Sequence, residues 1–329
     1  MSSARIFAAA LASATTLGAA PVLAMPAPVA KTPVSPPRCF GAAARSPGAR
    51  PCANPSLRHS VVPSPAIART LPNSPCTTIA VAPPVCAFGD DAVDAQDTIA
   101  IVGDSHAGGL RGAVATVAHA HGWQGLSMTH SSCPLSTAVR ALPDPELFRR
   151  CADWKTQVFA WFQHHPEVHT VFVAGLSGGS GVLPAGGQSR FATAVAGYIG
   201  AWNALPPTVR HIVVIRDTPK VRHTTAACVE RAMALRRDAG AACAVSRSGA
   251  LDPDALVVAA TQMRSPRVQV VDLTSVFCSA RHCFPVIGGA LVFRDVTHLT
   301  AVFAATLGPF LEQQVDALMG SAAWAEAAR

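Results

Sequence analysis

Five short runs rich in β-branched residues recur between Thr98 and Asp272, and stretches of helical period separate them. The runs are Thr98–Val102, Gly125–Thr129, Thr170–Ala174, His211–Arg216 and Val268–Asp272. Each is apolar, too short for a helix, and bounded by turn residues. A strand with apolar side chains on both faces needs cover on both faces, as strands in parallel sheets have. The cover is supplied by predicted helices at Ser105–His121, Phe148–His164, Ser189–Leu205, Ala226–Asp238, Asp252–Met263 and Thr297–Met319. Right-handed crossovers distribute such helices over both sides of a sheet. The expected fold is therefore α/β: a three-layer, doubly wound, flavodoxin-like parallel five-stranded sheet. Ligands of such sheets bind beyond the carboxyl ends of the strands.

Before Thr98 the chain reads differently. Met1–Arg5 followed by the alanine-rich run Ile6–Leu23 reads as an export signal, with Val22 and Ala24 as the small residues before a cut after Ala24. A retained membrane anchor is the alternative; alanine and threonine make the run weakly hydrophobic, which favours cleavage. Residues 25–37, rich in Pro, Ala and Val, read as an extended linker. From Cys39 to Asp97 the chain is dense in Pro and Cys with little periodicity. The organisation read from the sequence is a signal peptide (1–24), a linker and disulfide-rich N-terminal extension (25–97) and a catalytic domain (98–329).

All ten cysteines follow the cleavage site, and an even number in an exported chain points to disulfides and an extracytoplasmic location. Chain order suggests pairing of neighbours: Cys39 with Cys52, Cys76 with Cys86, Cys133 with Cys151, Cys228 with Cys243, Cys278 with Cys283. Sequence leaves the connectivity open. Zinc is a rival at Cys278 and Cys283, where His282 adds a ligand, but no second pair completes four. The pairs His119/His121 and His164/His165 lack acids at ligand spacing, so no metal is expected. The net charge of +7 is carried almost entirely by arginine. No basic run is interleaved with aromatics, which argues against nucleic acid, whereas an anionic cell envelope or polysaccharide is compatible.

Two segments carry chemistry. Gly103-Asp104-Ser105-His106-Ala107-Gly108 lies where the first strand ends and a helix begins. A serine there has its hydroxyl at the mouth of the site, beside unpaired helix N–H groups suited to an oxyanion. Gly103 permits the tight turn and a close approach of substrate. Helix capping or phosphate binding are the competing readings. The second segment is Arg294-Asp295-Val296-Thr297-His298. Three residues apart, Asp295 and His298 share one side of a turn, so Asp295 can orient the imidazole and leave its other nitrogen for Ser105. The alternative makes Asp295 a helix cap and His298 a surface residue.

Taken together, Gly103-Asp104-Ser105 early and Asp295-x-x-His298 late resemble blocks I and V of the SGNH hydrolase superfamily. The likeness is greater to one branch, the SGNH domains fused to membrane acyltransferases of family 3. It extends through Gly103-Asp104-Ser105-His106-Ala107, Cys133-Pro134, Arg216-Asp217-Thr218-Pro219, Cys278…Cys283 and Asp295-x-x-His298-Leu299-Thr300, and covers Cys39 to Leu311. The resemblance implies an SGNH-type fold and acyl (acetyl) transfer or ester hydrolysis on carbohydrate through an acyl-Ser105 intermediate. His298 would be the base and Asp295 its orienting acid, with no cofactor. The implied partners are an acylated glycan or cell-envelope polysaccharide and a membrane acyltransferase that donates acyl groups. The pocket would be built from Gly103, Asp104, His106, Gly175, Gly178 and Arg216. One departure stands out. Block III should carry an oxyanion-hole Asn after the third strand, but residues 174–180 contain none, and Asn203 falls in a predicted helix. Backbone N–H groups of the glycine-rich loop are the expected substitute. Gly125, ahead of the second strand, does not match the block II glycine. A catalytically silent glycan-binding module of the same fold is the second expectation.

Overall fold

The computed structural model describes residues 36–45, 52–91, 93–178 and 181–329. The signal-peptide and linker expectations fall outside the described residues, except for the linker's last two positions. Seven strands form one sheet: β1 (Thr77–Val81), β2 (Pro84–Gly89), β3 (Asp97–Gly103), β4 (Trp123–Thr129), β5 (Val168–Ala174), β6 (His211–Ile215) and β7 (Val268–Val271). Their spatial order is β1-β2-β4-β3-β5-β6-β7. The five expected strands make its parallel part, with β3 central between β4 and β5. The carboxyl end of β3, Gly103, is in register with Thr129 on one side and Ala174 on the other. A switch in winding direction lies at this point.

The sheet is thus two strands wider than the five expected. β1 and β2 come from the cysteine-rich extension and add antiparallel onto β4, with Cys86 opposite Ser127. They occupy an edge whose backbone groups would otherwise be left open. Their weak sequence signal has a cause: β1 is almost wholly exposed, so nothing imposes an apolar alternation on it. The extension is therefore built into the sheet, and residues Pro37–Arg329 form one compact unit.

Side-chain alternation along β3 feeds two cores. Ile99 and Ile101 join one, under α1 (Ser105–Ala120), while Ala100 and Val102 join the other. The second core is closed by α2 (Pro145–His164), α3 (Arg190–Ala204) and α5 (Ala255–Met263), through residues such as Phe162, Trp202 and Leu256. α4 (Thr225–Ala234) packs a smaller cluster around Val229. α2 starts three residues before the expected Phe148, because Asp144 caps Glu146 N–H and Pro145 occupies the first turn.

The expected last helix, Thr297–Met319, is divided. Thr300 caps α6 (Ala301–Thr306), and α7 (Gly308–Met319) restarts at Gly308-Pro309. Pro309 has no N–H to continue the ladder. Gly308 lies against α1, where a Cβ would come within 2.2 Å of Thr116 Oγ1. A further helix, α8 (Ala322–Ala327), sets Trp324 flat on His211 with ring centroids 3.6 Å apart. The cysteines are joined as Cys39–Cys52, Cys76–Cys86, Cys133–Cys151, Cys228–Cys243 and Cys278–Cys283. Among the described residues no helix is long and apolar enough to cross a membrane.

Candidate active site

The turn from β3 into α1 admits only glycine at its first position. Gly103 has φ +153°, and a Cβ there would stand 1.9 Å from the Ala174 carbonyl oxygen of the neighbouring strand. Asp104 follows as the helix cap. One carboxylate oxygen accepts the His106 N–H and the other the Leu176 N–H, each at 2.9 Å. Burial raises the Asp104 pKa, against the pull of the neighbouring His106 charge and these two N–H groups. Ser105, half-buried, opens the helix with its side chain at the carboxyl end of the sheet.

The Arg294–His298 segment is a turn ahead of α6, not a helix. Phe293 and Leu299 bridge its base, and Arg294 N–H donates to the His298 carbonyl. Inside it Asp295 accepts the backbone N–H groups of Thr297 and His298 at 3.0 and 2.8 Å. Its carboxylate also accepts from His298 Nδ1, at 2.8 Å to the nearer oxygen. Burial works to raise the Asp295 pKa; the hydrogen bonds from the His298 ring and from the two N–H groups outweigh it and hold the carboxyl well below its ordinary value. Proton donation from Nδ1 leaves Nε2 as the acceptor nitrogen. That nitrogen is 2.8 Å from Ser105 Oγ, across 193 residues of chain.

A second imidazole lies beside the first. His106 is buried, its ring centroid 5.0 Å from that of His298, and its Nδ1 is 2.7 Å from Asp217 Oδ1. Burial lowers the His106 pKa, but the charge and hydrogen bond of Asp217, with Asp104 and Asp295 beyond, carry it above the ordinary value. Asp217 also accepts from the N–H and hydroxyl of Ser177 at 3.1 and 3.3 Å. Its own N–H is held at 2.9 Å by Asp254, which in turn caps α5. Asp217 thus links the start of α1, the loop after β5 and the loop after β6. The Arg216-Asp217-Thr218-Pro219 segment was its only sequence signal. Nothing local indicated which of its two charged residues faces inward.

The remaining expected pocket residues are distributed as follows. Gly175 lies against the Asp104 carboxylate, where a Cβ would meet Oδ2 at 3.4 Å. Gly178 is exposed beside Asp252. Arg216 Nη1 makes an ion pair with Asp272 at 3.3 Å. Asn203 is exposed on α3. Gly125 makes room for the Phe88 ring, its partner in register on β2. The glycine-rich loop after β5 is more committed than its sequence suggests: the N–H groups of Leu176 and Ser177 are taken by Asp104 and Asp217. They can serve an oxyanion only by giving up those carboxylates.

A doubly wound sheet with a serine on the first βα turn, and an Asp-x-x-His turn ahead of the closing helices, has the architecture of the SGNH class. A sequence model of the SGNH domain found fused to AT3 domains matches residues 72–313, most of the chain. The chain belongs to this family. Among solved structures it is similar to the lipopolysaccharide acetyltransferase periplasmic domain of Salmonella serovar Paratyphi A, at 12% identity, with 68% of this chain and 85% of that one covered and a TM-score of 0.49. No curated protein matches it in sequence.

Proposed function

We propose that this chain is an extracytoplasmic serine-type O-acyl esterase or O-acyltransferase acting on acylated, most simply acetylated, carbohydrate. The observation that carries the reading is the unbroken sequence of contacts from Asp295 through His298 to Ser105. Ser105 Oγ attacks the ester carbonyl while His298 Nε2 takes its proton. Asp295 holds the imidazole in the tautomer that can do so and stabilises the imidazolium that results. The tetrahedral oxyanion forms at the α1 N-terminus, where the Ser105 N–H and the helix dipole offset its charge. Collapse expels the sugar alkoxide, protonated from His298, and leaves acyl-Ser105. Water then completes a hydrolysis, or a second sugar hydroxyl completes a transfer, with His298 as base again. Five disulfides in the folded chain fit an oxidising compartment and so support export, as the N-terminal segment does.

A second reading, a silent glycan-binding module, draws on the absent block III Asn and the engaged N–H groups of Leu176 and Ser177. One experiment separates the two. Wild type and Ser105→Ala are compared for turnover of p-nitrophenyl acetate, and wild type is searched by intact-protein mass for an acetyl adduct on Ser105. The enzyme reading expects turnover that needs Ser105; equal rates for the two proteins and no adduct would leave the binding module.

A further inference from the structure

Residues Asp295 to Thr297 form a ridge between two clefts. Asp295 and Val296 line one, of ≈ 200 Å³, and Thr297 lines the other, of ≈ 270 Å³. The two differ in charge. In the second, Lys220 Nζ is 2.6 Å from Asp252, and Arg216 is paired with Asp272, so its cations are neutralised within the chain. In the first, Arg69, Arg222 and Arg294 face a single carboxylate, Asp295. That carboxylate is already engaged by His298. Arg294 Nε stands 4.0 Å from it, and Arg294 Nη1 reaches the Leu71 carbonyl at 3.5 Å. Arg69 and Arg222 are exposed, and among the described residues no hydrogen bond or ion pair engages either guanidinium. The wall also includes the buried side chains Val229 and Phe293.

Guanidinium groups with no acid of their own, set around a concavity with apolar walls, offer paired N–H donors to a carboxylate or phosphate. A cleft concentrates their field, and its apolar wall accepts the C–H face of a sugar ring. We infer that the Arg69/Arg222 cleft is a subsite for an acidic saccharide, one bearing carboxylate or phosphate groups. The glycan lies across the Asp295–Thr297 ridge with its charge on the arginines and its ester or acceptor hydroxyl at Ser105. Its role as a substrate subsite rests on the acyl-transfer reading above; anion recognition in the cleft does not require turnover.

Binding is therefore measured without turnover. The Ser105→Ala protein is titrated calorimetrically at low salt with trigalacturonate, with a phosphorylated trisaccharide and with a neutral trisaccharide. At least one acidic ligand is expected to bind about tenfold or more tighter than the neutral one, with the advantage lost at high salt. Adding Arg69→Gln and Arg222→Gln together abolishes that advantage. Arg69→Lys with Arg222→Lys, which keeps the charge and removes the fork, restores part of it. Arg329→Gln removes one positive charge at the exposed chain end and leaves the advantage in place. The carboxylate and phosphate ligands identify which anion is preferred. Equal affinity for acidic and neutral ligands, or an equal loss in Arg329→Gln, would overturn the subsite. For turnover by the parent enzyme, kcat/KM on O-acetylated polygalacturonate relative to an acetylated neutral glucan is expected to fall about tenfold in the Gln pair, through KM. Failure of the acyl-transfer reading looks different: no ester is turned over through Ser105, while acidic ligands still bind.

Discussion

His106 Nδ1 and Asp217 Oδ1 meet at 2.7 Å beneath the Ser105–His298 contact, although 111 residues separate them. His106 is buried and Asp217 half-buried, and Asp217 uses its other oxygen to hold Ser177 in the loop after β5. The helix that Ser105 opens and the adjacent loop are thereby fixed to one carboxylate. The His106 ring lies 5.0 Å from that of His298, so damage to the pair should reach stability and, on the proposed function, turnover.

Asp217→Ala is expected to destabilise the protein by about 1–3 kcal/mol, because it leaves the buried His106 Nδ1 and the Ser177 N–H without their acceptor. Urea denaturation at neutral pH measures this. His106→Phe added to Asp217→Ala should recover part of the loss, giving a positive coupling in the double-mutant cycle. Strict additivity would mean that the pair contributes nothing as a pair.

Asp295→Asn leaves the turn's shape available but presents an amide to His298 Nδ1, favouring the wrong tautomer. The expected fall in kcat is about 10⁴-fold, the loss seen when the triad aspartate of a serine protease is so changed. The thermal midpoint should move far less than the rate. A fall below tenfold would show that Asp295 does not set the tautomer.

The pH dependence of stability has a contribution from His211. Burial lowers its pKa to about 4, with the nearby Arg210 charge also lowering it. The unfolded chain therefore binds the proton more readily than the folded one. Stability attributable to this site is full above the unfolded value of 6.5 and falls as pH drops from 6.5 toward about 4. His211→Phe keeps a ring against Trp324 and removes the titration. The drop in urea midpoint between pH 7 and pH 4.5 should be smaller in that variant than in wild type. An equal drop would assign the acid sensitivity elsewhere.

Gly103→Ala tests the turn. A methyl group 1.9 Å from the Ala174 carbonyl oxygen cannot be accommodated without parting β3 from β5. A cost of about 3 kcal/mol or more is expected from the backbone strain and the clash together. Gly109→Ala, where a Cβ meets nothing within 4 Å, is the control and should be neutral or slightly stabilising. Similar melting temperatures for the two variants would refute the close approach.

Much of this was legible in the residue order. The five parallel strands could be read because burial on both faces demands unbroken apolar runs. Ser105 and the Asp295/His298 pair could be read because each sits at a turn with a local signature. β1 could not, since an exposed edge strand carries no period, nor could β2, which is only partly buried between β1 and β4, and the break at Gly308-Pro309 was hidden inside an otherwise helical pattern. That two N–H groups of the loop after β5, those of Leu176 and Ser177, are already engaged could not be read either. Asp104 lies 72 residues from Leu176 and Asp217 lies 40 from Ser177.

The sequence by itself determined what depends on neighbours along the chain. It set which segments become the five parallel strands and most of the helices that cover them, where glycine must stand, and which short motifs offer a candidate nucleophile and base. The tertiary structure alone decided which polar groups are already satisfied, that His106 rests on Asp217, and that two arginines beside Asp295 have no acid partner among the described residues. The reason is physical: local conformational preference acts over a few residues, whereas hydrogen-bond and charge pairing act over a few ångströms, and only the folded chain makes distant residues close.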